Sequence, residues 1–243
     1  MVFLAIILPF LGTLIGSMLS FTLNDKMNSK IEKILLGFAA GVMVAASIWS
    51  LLNPAIEHSE YLGKLSFLPA AIGFIIGIGM FLLIDFYDSK KSTNINQMYL
   101  AVTLHNIPEG MAVGVVIASA VYGDVNLTMS SAIALSIGIA IQNIPEGAII
   151  SMPLRASGMS RFKSFLYGAL SGIVEPIFCI ITILLIRYIN PLLPYFLSFA
   201  AGAMVYVVID ELIPESQKNS KSLGVISFSL GFLVMMILDV MLG

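Results

Sequence analysis

The chain has 243 residues, of which 58% are hydrophobic and 11% are charged, and its mean hydropathy is +1.00. Soluble domains carry about 25% charged residues, so this composition excludes a water-soluble globular protein and favours a polytopic membrane protein. The formal net charge of −2 says little, because the charges of a membrane protein matter by position. The expected partner is the lipid bilayer, and no nucleic acid is expected.

Eight apolar runs are long enough to be transmembrane helices, which need about 20 mostly apolar residues each. The polar loops between them are too short to form a second domain, so residues 1–243 are predicted to be one transmembrane domain. The N-terminus lacks the basic start of a secretory signal, and the first run is therefore predicted to be retained. The predicted spans are 2–23, 34–52, 66–87, 98–119, 127–150, 162–186, 192–213 and 223–242.

The positions of the basic residues predict the orientation. Ten of the twelve Lys and Arg residues follow spans 1, 3, 5 and 7, whereas only Lys64 and Arg187 follow spans 2, 4 and 6. Basic loops favour the cytoplasm. Both termini are therefore predicted to lie outside.

An internal repeat is visible in spans 2 and 7. The segment Phe38-Ala-Ala-Gly-Val-Met-Val44 recurs as Phe199-Ala-Ala-Gly-Ala-Met-Val205, and each copy is followed by a proline, Pro54 or Pro214. Because the two spans run in opposite directions, the pattern favours an inverted repeat, with spans 1–3 related to spans 6–8 around spans 4 and 5. The alternative is that Ala-Ala-Gly is only a small-residue packing motif.

A second pair of segments carries polar residues into spans 4 and 5. His105-Asn-Ile-Pro-Glu-Gly110 returns 37 residues later as Gln142-Asn-Ile-Pro-Glu-Gly147. On a helix, residues three or four apart share a face, so each copy presents two amide or imidazole groups beside one glutamate. Polar groups at membrane depth usually mark a pathway or a site. Two such helices side by side would join one imidazole, two carboxylates and three amide oxygens.

Prolines and a third glutamate extend this site. Pro108 and Pro145 lack the N–H that a helix requires, and a kink that frees a carbonyl is predicted at each. Glu175 lies in span 6 beside Pro176. Three neighbouring buried carboxylates cannot all stay ionised unaided, whereas divalent cations would neutralise them. Nitrogen and oxygen ligands without thiolate favour Zn²⁺, Fe²⁺, Mn²⁺ or Cd²⁺, and either one ion or two could bind.

These motifs together resemble the ZIP (Zrt/Irt-like protein) metal transporters, and among them the prokaryotic ZupT/GufA-like branch, over essentially the whole chain. The resemblance implies transport of divalent metal into the cytosol. It also implies a main site of His105, Glu109, Gln142 and Glu146. An adjoining site would add Asn106, Asn143 and Glu175, with Glu109 and Glu146 shared by both. Met43 in span 2 fits the place of a thioether ligand, and the alternative is an ordinary packing methionine.

Two departures from many ZIP proteins bear on metal choice and regulation. The loop between spans 3 and 4 has no histidine, so a metal-sensing cytosolic loop is not expected. The second motif has Gln142 and Asn143 where many relatives have His or Asp. One fewer imidazole and one fewer carboxylate predict a weaker preference for Zn²⁺ and a broader choice of metals.

Acidic residues near the helix ends could guide the ion. Glu57 and Asp239 lie near the predicted outer ends of spans 2 and 8, and Asp85, Asp210 and Glu211 lie near the inner ends of spans 3 and 7. The alternative for each residue is a solvated helix end that has no role in transport.

Other functions remain as alternatives at this stage. The absence of Gly-x-x-x-x-Gly-Lys-Ser/Thr gives no support for ATP hydrolysis, and a membrane metalloprotease would require His-Glu-x-x-His. We therefore expect neither an enzyme nor an organic cofactor. A passive metal channel, or a proton-coupled carrier of another solute that uses Glu175, remains open. A multi-pass protein of the cell membrane is expected, and a homodimer is one open arrangement.

Overall fold

The structure, a computed structural model, describes residues 1–22, 29–88, 95–122, 127–186, 192–218 and 221–242. All regular elements in these ranges are helical, in agreement with the predicted all-α class. Helices suit a membrane because a backbone exposed to lipid must satisfy its hydrogen bonds within its own helix. In chain order the α-helices are α1 (Val2–Ser17), α2 (Leu19–Thr22), α3 (Ser29–Ala46), α4 (Asn53–His58), α5 (Phe67–Asp88), α6 (Ile95–Tyr122), α7 (Met129–Ala156), α8 (Arg161–Gly172), α9 (Val174–Ile186), α10 (Leu193–Val207), α11 (Ile213–Gln217) and α12 (Lys221–Leu242).

Within the described ranges, seven helical stretches are long and apolar enough to cross a membrane. Another apolar helical stretch, Asn106–Tyr122, is shorter and forms the second half of α6. The predicted multi-pass character is therefore reproduced. The seven stretches are Val2–Phe21, Ser29–His58, Phe67–Ile84, Met129–Met152, Arg161–Leu185, Leu193–Gln217 and Lys221–Met241.

The sixth predicted span, 162–186, is not one unbroken helix. A turn at Ile173 separates α8 from α9, and Glu175 lies in the first turn of α9. The cause is Pro176, which has no N–H to donate to the carbonyl of Gly172 four residues earlier. In contrast, α6 and α7 remain helical through Pro108 and Pro145.

Two π-helical segments interrupt the stretches that carry the Phe-Ala-Ala-Gly repeat. Ser47–Leu52 joins α3 to α4, and Val208–Leu212 joins α10 to α11. In both cases a proline follows, Pro54 in α4 and Pro214 in α11. Single π turns are rare, and those that occur are frequently at functional sites. The two copies of the repeat therefore share a backbone irregularity as well as a sequence, and the repeat in the sequence did not predict it.

The packing leaves large apolar side chains on the outside and buries polar ones. Ile75 in α5 and Val240 in α12 are 67% and 71% exposed, as expected of surfaces that face lipid. The most extensive contacts between helices are those of α3 with α12, α1 with α7, α5 with α10 and α6 with α9. Helices α6 and α7, which carry the paired motif, also contact each other.

Candidate metal site

The two copies of the motif meet at the contact between α6 and α7. Gln142 Nε2 in α7 donates a hydrogen bond of 2.7 Å to Glu109 Oε1 in α6. Both side chains are fully buried. The helical spacing predicted that these faces would meet, and the contact joins one ligand predicted from each copy.

Glu175 brings a third helix to the same place. The carboxyl groups of Glu109 and Glu175 interact electrostatically, and the side-chain amide of Asn143 lies beside both of them. Glu146 interacts with both Glu109 and Glu175. The three glutamates predicted for the site, one each on α6, α7 and α9, are therefore near enough to interact electrostatically.

The two asparagines are held by equivalent contacts. Asn106 Nδ2 donates to the carbonyl oxygen of Ser171 at 3.1 Å, and Asn143 Nδ2 donates to that of Pro9 at 3.3 Å. Each amide is thereby oriented by the backbone of a neighbouring helix, α8 or α1. The amide oxygens are left for another partner.

Close helix contacts around the motifs depend on glycine. A Cβ at Gly110 would overlap the backbone of Glu175, and a Cβ at Gly147 would overlap the backbone of Thr13. Small residues allow membrane helices to approach this closely. Gly110 and Gly147 thus let α9 and α1 lie directly against the two motifs.

Six oxygen atoms of the predicted ligands are buried and, in the part of the chain that the structure describes, have no hydrogen-bond partner. The residues are all less than 8% exposed. A buried polar atom without a partner costs about 1–3 kcal/mol, and more if it is charged. The six atoms are Asn106 Oδ1, Glu109 Oε2, Gln142 Oε1, Asn143 Oδ1, Glu146 Oε2 and Glu175 Oε2.

The two remaining predicted ligands are His105 and Met43. The side chain of His105 lies outside the described residues, although its backbone belongs to α6. Met43 is buried in the apolar core on α3, a helix that packs against α7. Among the described side chains, no three His, Cys, Asp or Glu groups form a ready-made metal cluster, so the oxygen set depends on its amides as well as its carboxylates.

The acids predicted for the approaches have different environments. Asp239 is half-buried and accepts a hydrogen bond of 2.5 Å from Ser50 Oγ in the first π segment. Glu57 and Asp210 are exposed.

Glu211 lies in the second π segment and interacts electrostatically with Glu146. The side chain of Asp85 lies outside the described residues.

One residue of the site was missed by sequence reasoning. Thr13 Oγ1 in α1 donates a hydrogen bond of 2.9 Å to Glu175 Oε1, and both residues are buried. A single threonine in an apolar run gives no sequence signal, and the residues around Thr13 do not repeat those around Glu175. Only the contact between α1 and α9 identifies it.

Comparison with known proteins identifies the family. A family model described as ZIP zinc transporter matches residues 88–239, which contain both motifs and Glu175. The chain belongs to the ZIP zinc transporter family. The resemblance inferred from the motifs is therefore confirmed, and since the ZIP family is one of transporters, so is the expectation that the chain is not an enzyme.

ZIP relatives match the chain over nearly its full length. The zinc transporter ZIP11 of Xenopus tropicalis is 36% identical, with 97% of this chain and 98% of the relative covered. The zinc transporter ZupT of Chlorobaculum parvum is 32% identical, covering 97% and 95%. The zinc transporter GufA of Myxococcus xanthus is 30% identical, covering 96% of each. These last two represent the ZupT/GufA-like branch.

Proposed function

We propose that this ZIP protein carries divalent transition-metal ions, Zn²⁺ foremost and Fe²⁺, Mn²⁺ and Cd²⁺ with it, across the membrane into the cytosol. The ion would bind among Asn106, Glu109, Gln142, Asn143, Glu146 and Glu175, with His105 completing the set. The metal is the transported substrate, and it would bind within the membrane, at the contact of α6, α7 and α9.

The observation that carries the proposal is the set of six unpartnered buried oxygens. Carboxylate and amide oxygens that are oriented by hydrogen bonds through their other atoms are typical ligands of divalent metals. A divalent cation would satisfy the oxygens and offset the repulsion among Glu109, Glu146 and Glu175. Apolar solutes could do neither, and the relatives named above are zinc transporters.

Equivalent backbone contacts support the inverted repeat as part of this proposal. A Cβ at Gly41 in α3 would overlap the backbone of Phe228 in α12, and a Cβ at Gly202 in α10 would overlap that of Phe74 in α5. The π segments after α3 and α10 add a second correspondence. We infer eight spans, with α6 as the fourth, and a two-fold relation of spans 1–3 to spans 6–8.

Direction and approach follow from the charge distribution. With the basic loops in the cytosol, both termini are outside. An ion that enters the cell membrane from outside would then first meet the end of the protein that holds Ser50 and Asp239. Glu211 is close enough to interact with Glu146 and would receive the ion on the inner side. Transport would follow from alternating access around the central site.

Uptake of metal into proteoliposomes tests the proposal. Glu109→Ala should abolish saturable Zn²⁺ uptake, because Glu109 contacts Gln142 and interacts with the other two site carboxyls. Glu60→Ala removes an exposed carboxylate from the short 3₁₀ helix Glu60–Leu65 that follows α4 and serves as the matched control. Undiminished uptake by Glu109→Ala would reject the site, and competition by Fe²⁺, Mn²⁺ and Cd²⁺ gives the metal range.

A further inference from the structure

Thr13 uses its hydroxyl in an unusual way for a helical threonine. Such hydroxyls commonly donate to the carbonyl four residues earlier, which here belongs to Pro9. That carbonyl already accepts from Asn143 Nδ2 at 3.3 Å. Thr13 Oγ1 instead donates to Glu175 Oε1 at 2.9 Å, across the contact between α1 and α9.

The result is that one oxygen of the Glu175 carboxyl is held by a hydrogen bond from α1. Oε1 accepts from Thr13, while Oε2 is buried and has no hydrogen-bond partner among the described residues. The same carboxyl interacts with Glu146 and with the Asn143 amide. Thr13 therefore holds one side of the carboxyl and leaves the other for the site.

Thr13 also occupies the place in the first half of the chain that Glu175 has in the second. Gly147 contacts the Thr13 backbone as Gly110 contacts the Glu175 backbone. Asn143 binds the carbonyl four residues before Thr13, and Asn106 binds the carbonyl four residues before Glu175. The two halves thus offer a hydroxyl on one side and a carboxylate on the other, joined by a hydrogen bond.

We propose that Thr13 is a positioning residue of the transport site, whose hydroxyl fixes the Glu175 carboxyl so that Oε2 faces the ion. The proposal rests on the metal site proposed above. Removal of a group that orients a metal ligand typically lowers metal affinity or activity about 10- to 100-fold. Span 1 would then take part in metal binding through one hydroxyl, without contacting the metal.

The test uses Thr13→Val, which keeps the shape of the side chain and removes the donor. We expect the Zn²⁺ concentration for half-maximal uptake into proteoliposomes to rise about tenfold, with the maximal rate per folded transporter nearly unchanged. Thr13→Ser retains a hydroxyl and should restore the wild-type concentration. Thr182→Val makes the same change at a buried threonine of α9 and controls for general effects on the membrane core.

The outcomes separate the two proposals. Glu109→Ala and Glu175→Gln are measured in parallel, and full uptake by Glu109→Ala would overturn the metal site itself. If these variants fail and Thr13→Val has the wild-type half-maximal concentration, the positioning role is wrong. The role is also wrong if Thr13→Ser is as impaired as Thr13→Val, or if Thr13→Val lowers only the maximal rate, because a packing defect would then explain the loss.

Discussion

Gln142 Nε2 donates a 2.7 Å hydrogen bond to Glu109 Oε1, so the two copies of the repeated motif contact each other directly through unlike side chains. The first copy begins with His105 and the second with Gln142. The pair is therefore symmetric in position and asymmetric in chemistry. An amide offers a weaker ligand than an imidazole to Zn²⁺, and metal choice should depend on this position.

Gln142→His should narrow the metal range toward Zn²⁺. The substitution adds an imidazole, a preferred Zn²⁺ ligand, where carboxylate and amide oxygens also suit Mn²⁺. We expect the Zn²⁺ to Mn²⁺ preference to rise by about tenfold, which corresponds to ~1.4 kcal/mol. Competitive uptake of the two metals into proteoliposomes measures the ratio.

Gln217→His is the control for this change, because it introduces the same imidazole at the end of α11, at a residue outside the proposed ligand set. It should leave the Zn²⁺ to Mn²⁺ ratio as in the wild type. An unchanged ratio in Gln142→His, with uptake intact, would show that position 142 does not determine metal choice.

Glu146→Gln should stabilise the metal-free protein while removing its response to metal. Glu146 interacts with Glu109, Glu175 and Glu211, and the loss of one carboxyl relieves repulsion in a buried site. We expect a gain of about 1 kcal/mol, or ~2–4 °C in the metal-free melting temperature. The wild type should gain about 2.7 kcal/mol at a metal concentration of 100 times the Kd, and the variant almost none.

Melting in detergent with and without Zn²⁺ measures both effects. Glu32→Gln changes a partly exposed glutamate in the first turn of α3 and should keep the full response to metal. A metal-free melting temperature below that of the wild type would contradict the repulsion argument. A retained response to Zn²⁺ would instead remove Glu146 from the ligand set.

Gly110→Ala should separate α6 from α9 and disable the site. The added Cβ would overlap the backbone of Glu175, and backbone atoms cannot move aside as a side chain end can. We expect a loss of about 1–3 kcal/mol of stability from overpacking, together with a loss of Zn²⁺ uptake. Melting in detergent and uptake by the surviving folded protein measure the two.

Gly79→Ala is the matched control, because a Cβ at Gly79 in α5 meets no atom within 4 Å. It should preserve uptake, and its stability should not fall, since alanine is the better helix former. Equal behaviour of the two variants would indicate that the contact between Gly110 and Glu175 is not required.

The sequence was informative where one physical rule dominates. Hydropathy located the apolar helices because a helix that crosses a bilayer needs apolar side chains and satisfies its backbone hydrogen bonds internally. The three- and four-residue spacing predicted which residues of each motif share a helix face. The break at Ile173 was not predicted, although Pro176 explains it. Thr13 could not be predicted, because its role depends on which helix lies opposite Gly147, a contact between segments far apart in the sequence.

The proposed orientation can be tested with the chain's own single cysteine as background. Cys179 is 1% exposed within α9 and should not react with a membrane-impermeant maleimide. Glu60→Cys and Lys218→Cys place a thiol at an exposed position after α4 and after α11. With both termini outside, the charge distribution puts residue 60 outside and residue 218 in the cytosol. In intact cells, labelling is therefore expected at residue 60 and not at residue 218, and in permeabilised cells at both. Labelling of residue 218 alone in intact cells would reverse the proposed orientation, and the ion would then approach from the Glu211 side rather than from the Asp239 side.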